Sequence, residues 1–516
     1  MPDTRSMPER ATYSSFSLKV YELFWMLSCG ISGRKYSHFI IKNKVAEGIG
    51  LFIDNFLPGS AYKNKKRKYV APSMDTQKDD MEKTEPAYLK RAWYVLVKKF
   101  NSLHIFDKLK YYGYQIIAID GVDAFSTKQA IDTLLHRKHG DKITYFAKMC
   151  LASIVSPNYG SGFPVAGLMI KNHKKNQETE TEIKQKQECE QNALVAVLEN
   201  IKQLFNMKKA ILLLDGLYLN GKVVRLITSY GSKFFITLKD DDAARFHTVI
   251  EEQMRINGKH SDSYDNDFNN GIKWTYTFDW CNNVKHNFNQ IDTPLVNYLS
   301  VIITKYVNGK EEYTNKFAWI TNLELKNCNV VMYQIIARKR WGIETMNNTQ
   351  KNCGLNITHK YDSSQNAPEN FLYMSQIASL IHQVLLQSNC YDQVAEEADY
   401  YATPDFKFKS NLKSKSKSKP KLKLESKSID ENPPEKQKIL YEVISEEETI
   451  IFNKKIKNNR LRKEKTKPKQ QIKYWAGVND WAEELRNCLA NGYHKIKLKT
   501  CLLFHMSWAP NQQIVA

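Results

Sequence analysis

At 516 residues the chain is too long for one ordinary domain, and about 100 to 200 residues per domain suggests two to four units. A 42% hydrophobic and 12% aromatic content fits a folded body and excludes a chain disordered throughout. With 76 Lys and Arg against 55 Asp and Glu, the net charge of +21 points to a polyanionic partner, nucleic acid first, although a basic tail on a neutral enzyme gives the same sum.

The start, MPDTRSMPERATYSSF, has no basic segment leading into an apolar run, so no secretory signal is expected and the reading is cytoplasmic, nucleoid-associated in a prokaryote. Residues 1–112 read as a mainly helical region with a role in DNA-end binding. Apolar residues recur at helical spacing in Phe16–Met26 and Tyr88–Phe106, on either side of the basic break NKKRK. From Tyr114 the pattern changes. YQIIAID is a short β-branched run ending in Asp120, and Ile143–Val155 and Phe163–Ile170 predict two more strands, together a meander. A charged helix follows over about Glu182–Asn206, then the continuous apolar run AILLLDG of a central strand, a helix near Asn220–Tyr230 and the strand FFITL. The order β-β-β-α-β-α-β is that of a ribonuclease-H-like fold. The expected class is therefore α/β, a mixed sheet flanked by helices, with residues 113–240 forming its first part.

Residues 241–332 alternate polar and aromatic residues, as in KWTYTFDW and VIITKYV, and predict a β-rich insertion. Residues 333–390 return to helix and complete the core. Their apolar stretch Asn370–Gln387 carries Ser, Gln and His, which makes a poor membrane span, so no membrane partner is expected. Residues 391–516 are a basic, low-complexity tail, expected to be largely disordered, with Trp475, Trp481 and Trp508 marking a small terminal element. Nine cysteines without a Cys-x-x-Cys pair, and no His cluster at ligand spacing, give no support to zinc or to a disulfide framework.

Asp120 and Asp215 each end an apolar run and each precede Gly, which puts a carboxylate at a strand end, where open α/β sheets bind ligands. Each alone is more often a turn former or helix cap than a catalytic residue. In Tyr333–Lys351, read as one helix, Arg340, Glu344, Asn348 and Lys351 share a face. By pattern alone that is a solvated face with an ordinary i,i+4 pair.

These segments resemble the insertion-sequence transposases of the DDE class, family four type, in the branch marked by Tyr-x2-Arg-x3-Glu-x6-Lys. Arg340, Glu344 and Lys351 fill the last three signature positions, while Ala337 stands where the family has Tyr. AIDG (Ala118–Gly121), KQECEQNA (Lys186–Ala193), LLLDGLY (Leu212–Tyr218), FAWITN (Phe317–Asn322) and RWGIETMNNTQKN (Arg340–Asn352) are similar to family blocks, in family order. PSMDTQKDDMEKTEP (Pro72–Pro86) is similar to the segment preceding the catalytic domain, so the resemblance covers about residues 70–388.

The resemblance implies catalytic and metal-holding roles for Asp120, Asp215 and Glu344, with two Mg²⁺ or Mn²⁺ ions expected. Three converging acids repel one another unless a cation intervenes, and Mg²⁺ takes oxygen donors. Asp120, on the first strand, is expected to bridge both ions. Arg340, Lys351 and Asn348 are the expected DNA-binding residues, and loss of the signature Tyr at Ala337 removes one contact. The substrate would be double-stranded DNA, as the element's terminal inverted repeats and the target, handled by a homodimer on paired ends. An aromatic from the insertion can stack on an unpaired base in relatives, but that role is assigned to none of Trp274, Trp280 and Trp319, since strand-core packing is the more frequent use of Trp. No role follows for Lys186 or Glu190. The basic tail adds sequence-independent DNA affinity or solubility. Two rivals stand: a transposase-derived DNA-binding protein without cleavage, and a ribonuclease-H-like nuclease that cuts and never rejoins.

Overall fold

The computed structural model describes residues 13, 15–27, 45–57, 61–63, 69–171, 190–238, 244–268, 271–285, 294–352, 355, 357–360 and 364–387. The tail, with its three tryptophans, and Lys186 lie outside the described residues.

The helices of the N-terminal region are α1 (Ser15–Leu27), α2 (Val45–Phe56), α3 (Met74–Lys83) and α4 (Pro86–Ser102). Ser73 caps α3 by accepting from the Thr76 amide, and Pro86 opens α4 where its missing N–H costs nothing. Trp93 of α4 is fully buried, and its indole N–H donates to the Pro164 carbonyl at 3.2 Å, joining α4 to the sheet.

That sheet has ten strands: β1 (Gln115–Thr127), β2 (Leu135–His139), β3 (Lys142–Ser156), β4 (Tyr159–Ile170), β5 (Ala210–Leu214), β6 (Lys233–Thr237), β7 (His260–Phe268), β8 (Ile272–Val284), β9 (Val296–Val307) and β10 (Lys310–Thr321). Its order is β2-β3-β1-β5-β6-β10-β9-β8-β7, with β4 also paired to β3. β1 runs parallel to β5 and antiparallel to β3, and β5 runs parallel to β6, so the sheet is mixed. Strands β1 to Ile119 and β5 are wholly buried and rich in Ile and Leu, as strands covered on both faces must be. Helix α5 (Glu190–Leu204) joins β4 to β5, and α6 (Gly221–Ser229) joins β5 to β6. The fold is α/β, a mixed, open sheet flanked by helices.

Two sequence expectations change, and the strand-rich stretch gains a partner. β1 continues seven residues past Asp120 to Thr127, so Asp120 lies inside a strand; it is β5 that stops beside it. The strand-rich stretch after α7 (Ala244–Asn257) extends the same sheet, because β10 pairs antiparallel with β6 (Ile320 opposite Ile236). The helix read across Tyr333–Lys351 is two, α8 (Val330–Arg338) and α9 (Trp341–Asn352), separated at Lys339 and Arg340. Gly342, in the first turn of α9, packs closely on β3, where a Cβ would stand 3.0 Å from the Val155 side chain.

The last described helix, α10 (Ala367–Gln387), is buried along most of its length against α1, α3, α4 and β4. The buried Asn370 side chain donates to the carbonyls of Met81 and Thr84, both at 2.7 Å, satisfying groups that the end of α3 leaves open. No helix among the described residues is long and apolar enough to cross a membrane.

Candidate functional site

Parallel pairing of β1 with β5 sets Ile119 opposite Leu214, so the next residues, Asp120 and Asp215, are neighbours on adjacent chains. Paired strands lie about 4.8 Å apart, which puts the two carboxylates within mutual electrostatic range. β5 ends here because Asp215 starts a single 3-10 turn, Gly216–Tyr218, with the Tyr218 amide donating to the Asp215 carbonyl at 3.0 Å.

Glu344 reaches the same place from the first turn of α9. Between Glu344 and Asp120 stands Arg340, a buried cation in the break before that helix. Its guanidinium pairs with Glu344 at 2.7 Å, and a second nitrogen lies 4.0 Å from Asp120. The first is a charge-assisted hydrogen bond; the second is a Coulomb contact only. Glu344 is half exposed, whereas the Asp120 side chain retains 22% of its surface.

Burial pushes the Asp120 carboxyl up to about 6. Arg340 and the Gly121 amide, which donates to Asp120 at 2.9 Å, pull it down, while Glu344 and Asp215 push it further up. The three predicted acids therefore share one electrostatic site, and one of them is short of positive charge.

Asn348 and Lys351 lie farther along α9. Asn348 accepts from Asn352 at 2.6 Å, and neither residue forms a hydrogen bond or ion pair with the three acids. Ala337 is buried on α8, so the signature Tyr position points into the core in this chain. Trp274, Trp280 and Trp319 are all buried in strand packing. Beside the acids the exposed aromatic is instead Trp341, edge-on to Phe317, with the Arg338 guanidinium over both rings.

Sequence reasoning assigned no role to Glu190. It begins α5, mostly buried, and pairs with Lys148 of β3. The Tyr218 hydroxyl donates to it at 3.3 Å, and a Cβ at Gly121 would overlap its carboxylate. The signal that could have found it was the glycine after Asp120. A glycine inside a strand marks close approach by another group as readily as a turn.

Among the described residues no group of three or more His, Cys, Asp and Glu side chains is drawn together tightly enough to hold a metal ion. The donors are of the kind a hard divalent cation takes, and Asp120 and Asp215 meet by register. Glu344 is the outlier, since one of its two carboxylate oxygens is paired with Arg340. No protein-family model matches the chain, and a search of curated proteins returns no match.

Proposed function

We propose that the chain is a DNA transposase of the DDE class, which cuts the ends of its element and joins the freed 3′-hydroxyls to target DNA. The observation that carries this reading is the meeting of three sequence-distant acids: Asp120 beside Asp215 by strand register, and Glu344 brought to Asp120 through Arg340. The strand order supports a ribonuclease-H-like core. Taken as β4-β3-β1-β5-β6, with α5 and α6 as the crossovers, the inner sheet has three antiparallel strands followed by two parallel to the first. Strands β7–β10 fall between β6 and the Glu344 helix, where an insertion in such a core belongs.

Asp120, Asp215 and Glu344 would hold Mg²⁺ or Mn²⁺, which when bound supplies electrostatic stabilisation of the charge that develops in phosphoryl transfer. The protein's own part is positioning. The rigid central strands fix Asp120 and Asp215, and α9 presents Glu344. Arg340 would take a DNA phosphate in bidentate fashion by leaving Glu344, which would free that carboxylate for the cation. The high positive charge supplies sequence-independent affinity for the duplex.

The Arg340–Glu344 pair favours a second reading, a transposase-derived DNA-binding protein that does not cut. One experiment separates the readings: incubation of the purified protein with a duplex carrying the inverted repeats that flank its gene, with and without Mg²⁺. Metal-dependent cutting followed by joining to a target plasmid is the expected result. Cutting without joining makes the protein a nuclease, and binding without cutting makes it a DNA-binding derivative.

A further inference from the structure

Resting on the reading of Asp120 and Asp215 as metal-holding acids, we infer that Glu190 is a positioning residue, a latch that holds the Asp215 turn against the Asp120 strand. Three contacts converge on the start of α5. The Tyr218 hydroxyl, three residues beyond Asp215, donates to the Glu190 carboxylate at 3.3 Å. The next residue, Gln191, donates its side-chain amide to the Leu217 carbonyl at 2.8 Å. On the other side, Glu190 lies directly over Gly121, the neighbour of Asp120, in space that any side chain there would fill.

Lys148 of β3 pairs with the same carboxylate and lies 3.7 Å from Asp123 of β1, which holds Glu190 in place. Tyr218 is fully buried, so its hydroxyl depends on this partner and on Cys150, whose sulfur is 3.9 Å away. The Asp215 turn is one short 3-10 segment, Gly216–Tyr218, between β5 and α6. The Glu190 and Gln191 contacts hold the far side of this turn, beyond the point where strand pairing at Leu214 ends. Glu190 contacts neither aspartate in the structure and so acts through Tyr218 and Gly121.

The test is a calorimetric Mn²⁺ titration of the full-length protein, paired with amide hydrogen exchange of residues 215–219 in metal-free samples. Tyr218→Phe and Glu190→Ala are each expected to weaken Mn²⁺ binding about tenfold, the low end of what loss of a supporting partner costs a metal site, and to speed exchange of the turn. The double variant is expected to be no weaker than Glu190→Ala, which already removes the Tyr218 contact. Glu190→Gln retains an acceptor for Tyr218 and is expected to stay within about threefold of the unaltered protein.

Unchanged Mn²⁺ affinity in Tyr218→Phe and Glu190→Ala, with or without faster exchange, overturns the latch. Complete loss in Glu190→Gln also overturns it, by making Glu190 a direct ligand. Failure of the underlying metal assignment has a different signature, either no Mn²⁺ uptake by the unaltered protein or uptake indifferent to Asp120→Asn, and it takes the latch down with it.

Discussion

In β5 every residue is buried, whereas along β8 buried and half-buried residues alternate from Lys273 to Trp280. Both belong to one hydrogen-bonded sheet, and the difference follows from what covers them. Around β3 the inner sheet is enclosed on two faces. Ser153 meets Met346 of α9, while Lys148, an odd number of residues away and therefore on the opposite face, meets Glu190 of α5. β8 has α7 packed on it, and its remaining positions stay partly wet. β10 passes from one regime to the other within a single strand: exposed and half-buried residues precede four buried ones, Ala318–Thr321, where it joins β6. Asp120 and Asp215 belong to the enclosed half, where a charge is costly and a cation correspondingly welcome, while Glu344 stands at its exposed margin.

The sharpest way to break this comparison is through chemistry. Glu344→Gln is expected to lower metal-dependent DNA cutting by at least about a thousandfold while sparing DNA binding in a gel-shift assay. An equally drastic change in the outer half, Phe278→Ala, leaves cutting per folded molecule unaltered. Retained cutting in Glu344→Gln removes that residue from the site.

Stability gives the next contrast. Leu213→Ala, within the enclosed half, is expected to cost about 2–5 kcal/mol in denaturant unfolding, as a buried Leu with no room for relaxation does. Asp120→Asn acts in the opposite direction. The folded carboxyl titrates near 6 against an ordinary 3.8, so its protonated form favours the fold. That contribution is full below the unfolded value and is lost as pH rises through 6. At pH 8 the Asn variant is therefore expected to be more stable by on the order of 2 kcal/mol, and at pH 3.5 to match the unaltered protein. A destabilised Asn variant at pH 8 contradicts the electrostatic picture. The smallest effect belongs to the wet half: Ile302→Thr on β9, at 36% exposure, is expected to change stability by no more than about 0.5 kcal/mol.

How far the fold was legible follows the same division. The runs IIAID and AILLLDG announce buried central strands because unbroken β-branched and Leu residues suit no half-exposed position, and KWTYTFDW announces its alternation just as plainly. Hidden was the pairing of β10 with β6, which joins residues about 80 positions apart and leaves no local mark. The continuation of β1 through Gly121 was hidden because Asp-Gly reads as a turn, and the break before α9 because no proline signals it. At the site, Asp120, Asp215, Arg340 and Glu344 were all named from sequence. Asn348 and Lys351 were grouped with them by helical spacing, and in the structure Asn348 accepts from Asn352 and pairs with none of the acids. Glu190 escaped because its partners, Lys148 and Tyr218, are assembled only by the tertiary fold.

The bond from Asn370 to the end of α3 spans 289 residues at Met81 and 286 at Thr84. During synthesis at about 5 to 20 residues per second, the N-terminal helices wait on the order of half a minute for α10 to appear. Throughout that interval the surfaces of α1, α3 and α4 that α10 will cover stand open to chaperones and to one another. A ribosome that stalls before residue 367 releases a chain with its sheet complete and its helical cap unsealed, so early termination yields an aggregation-prone product.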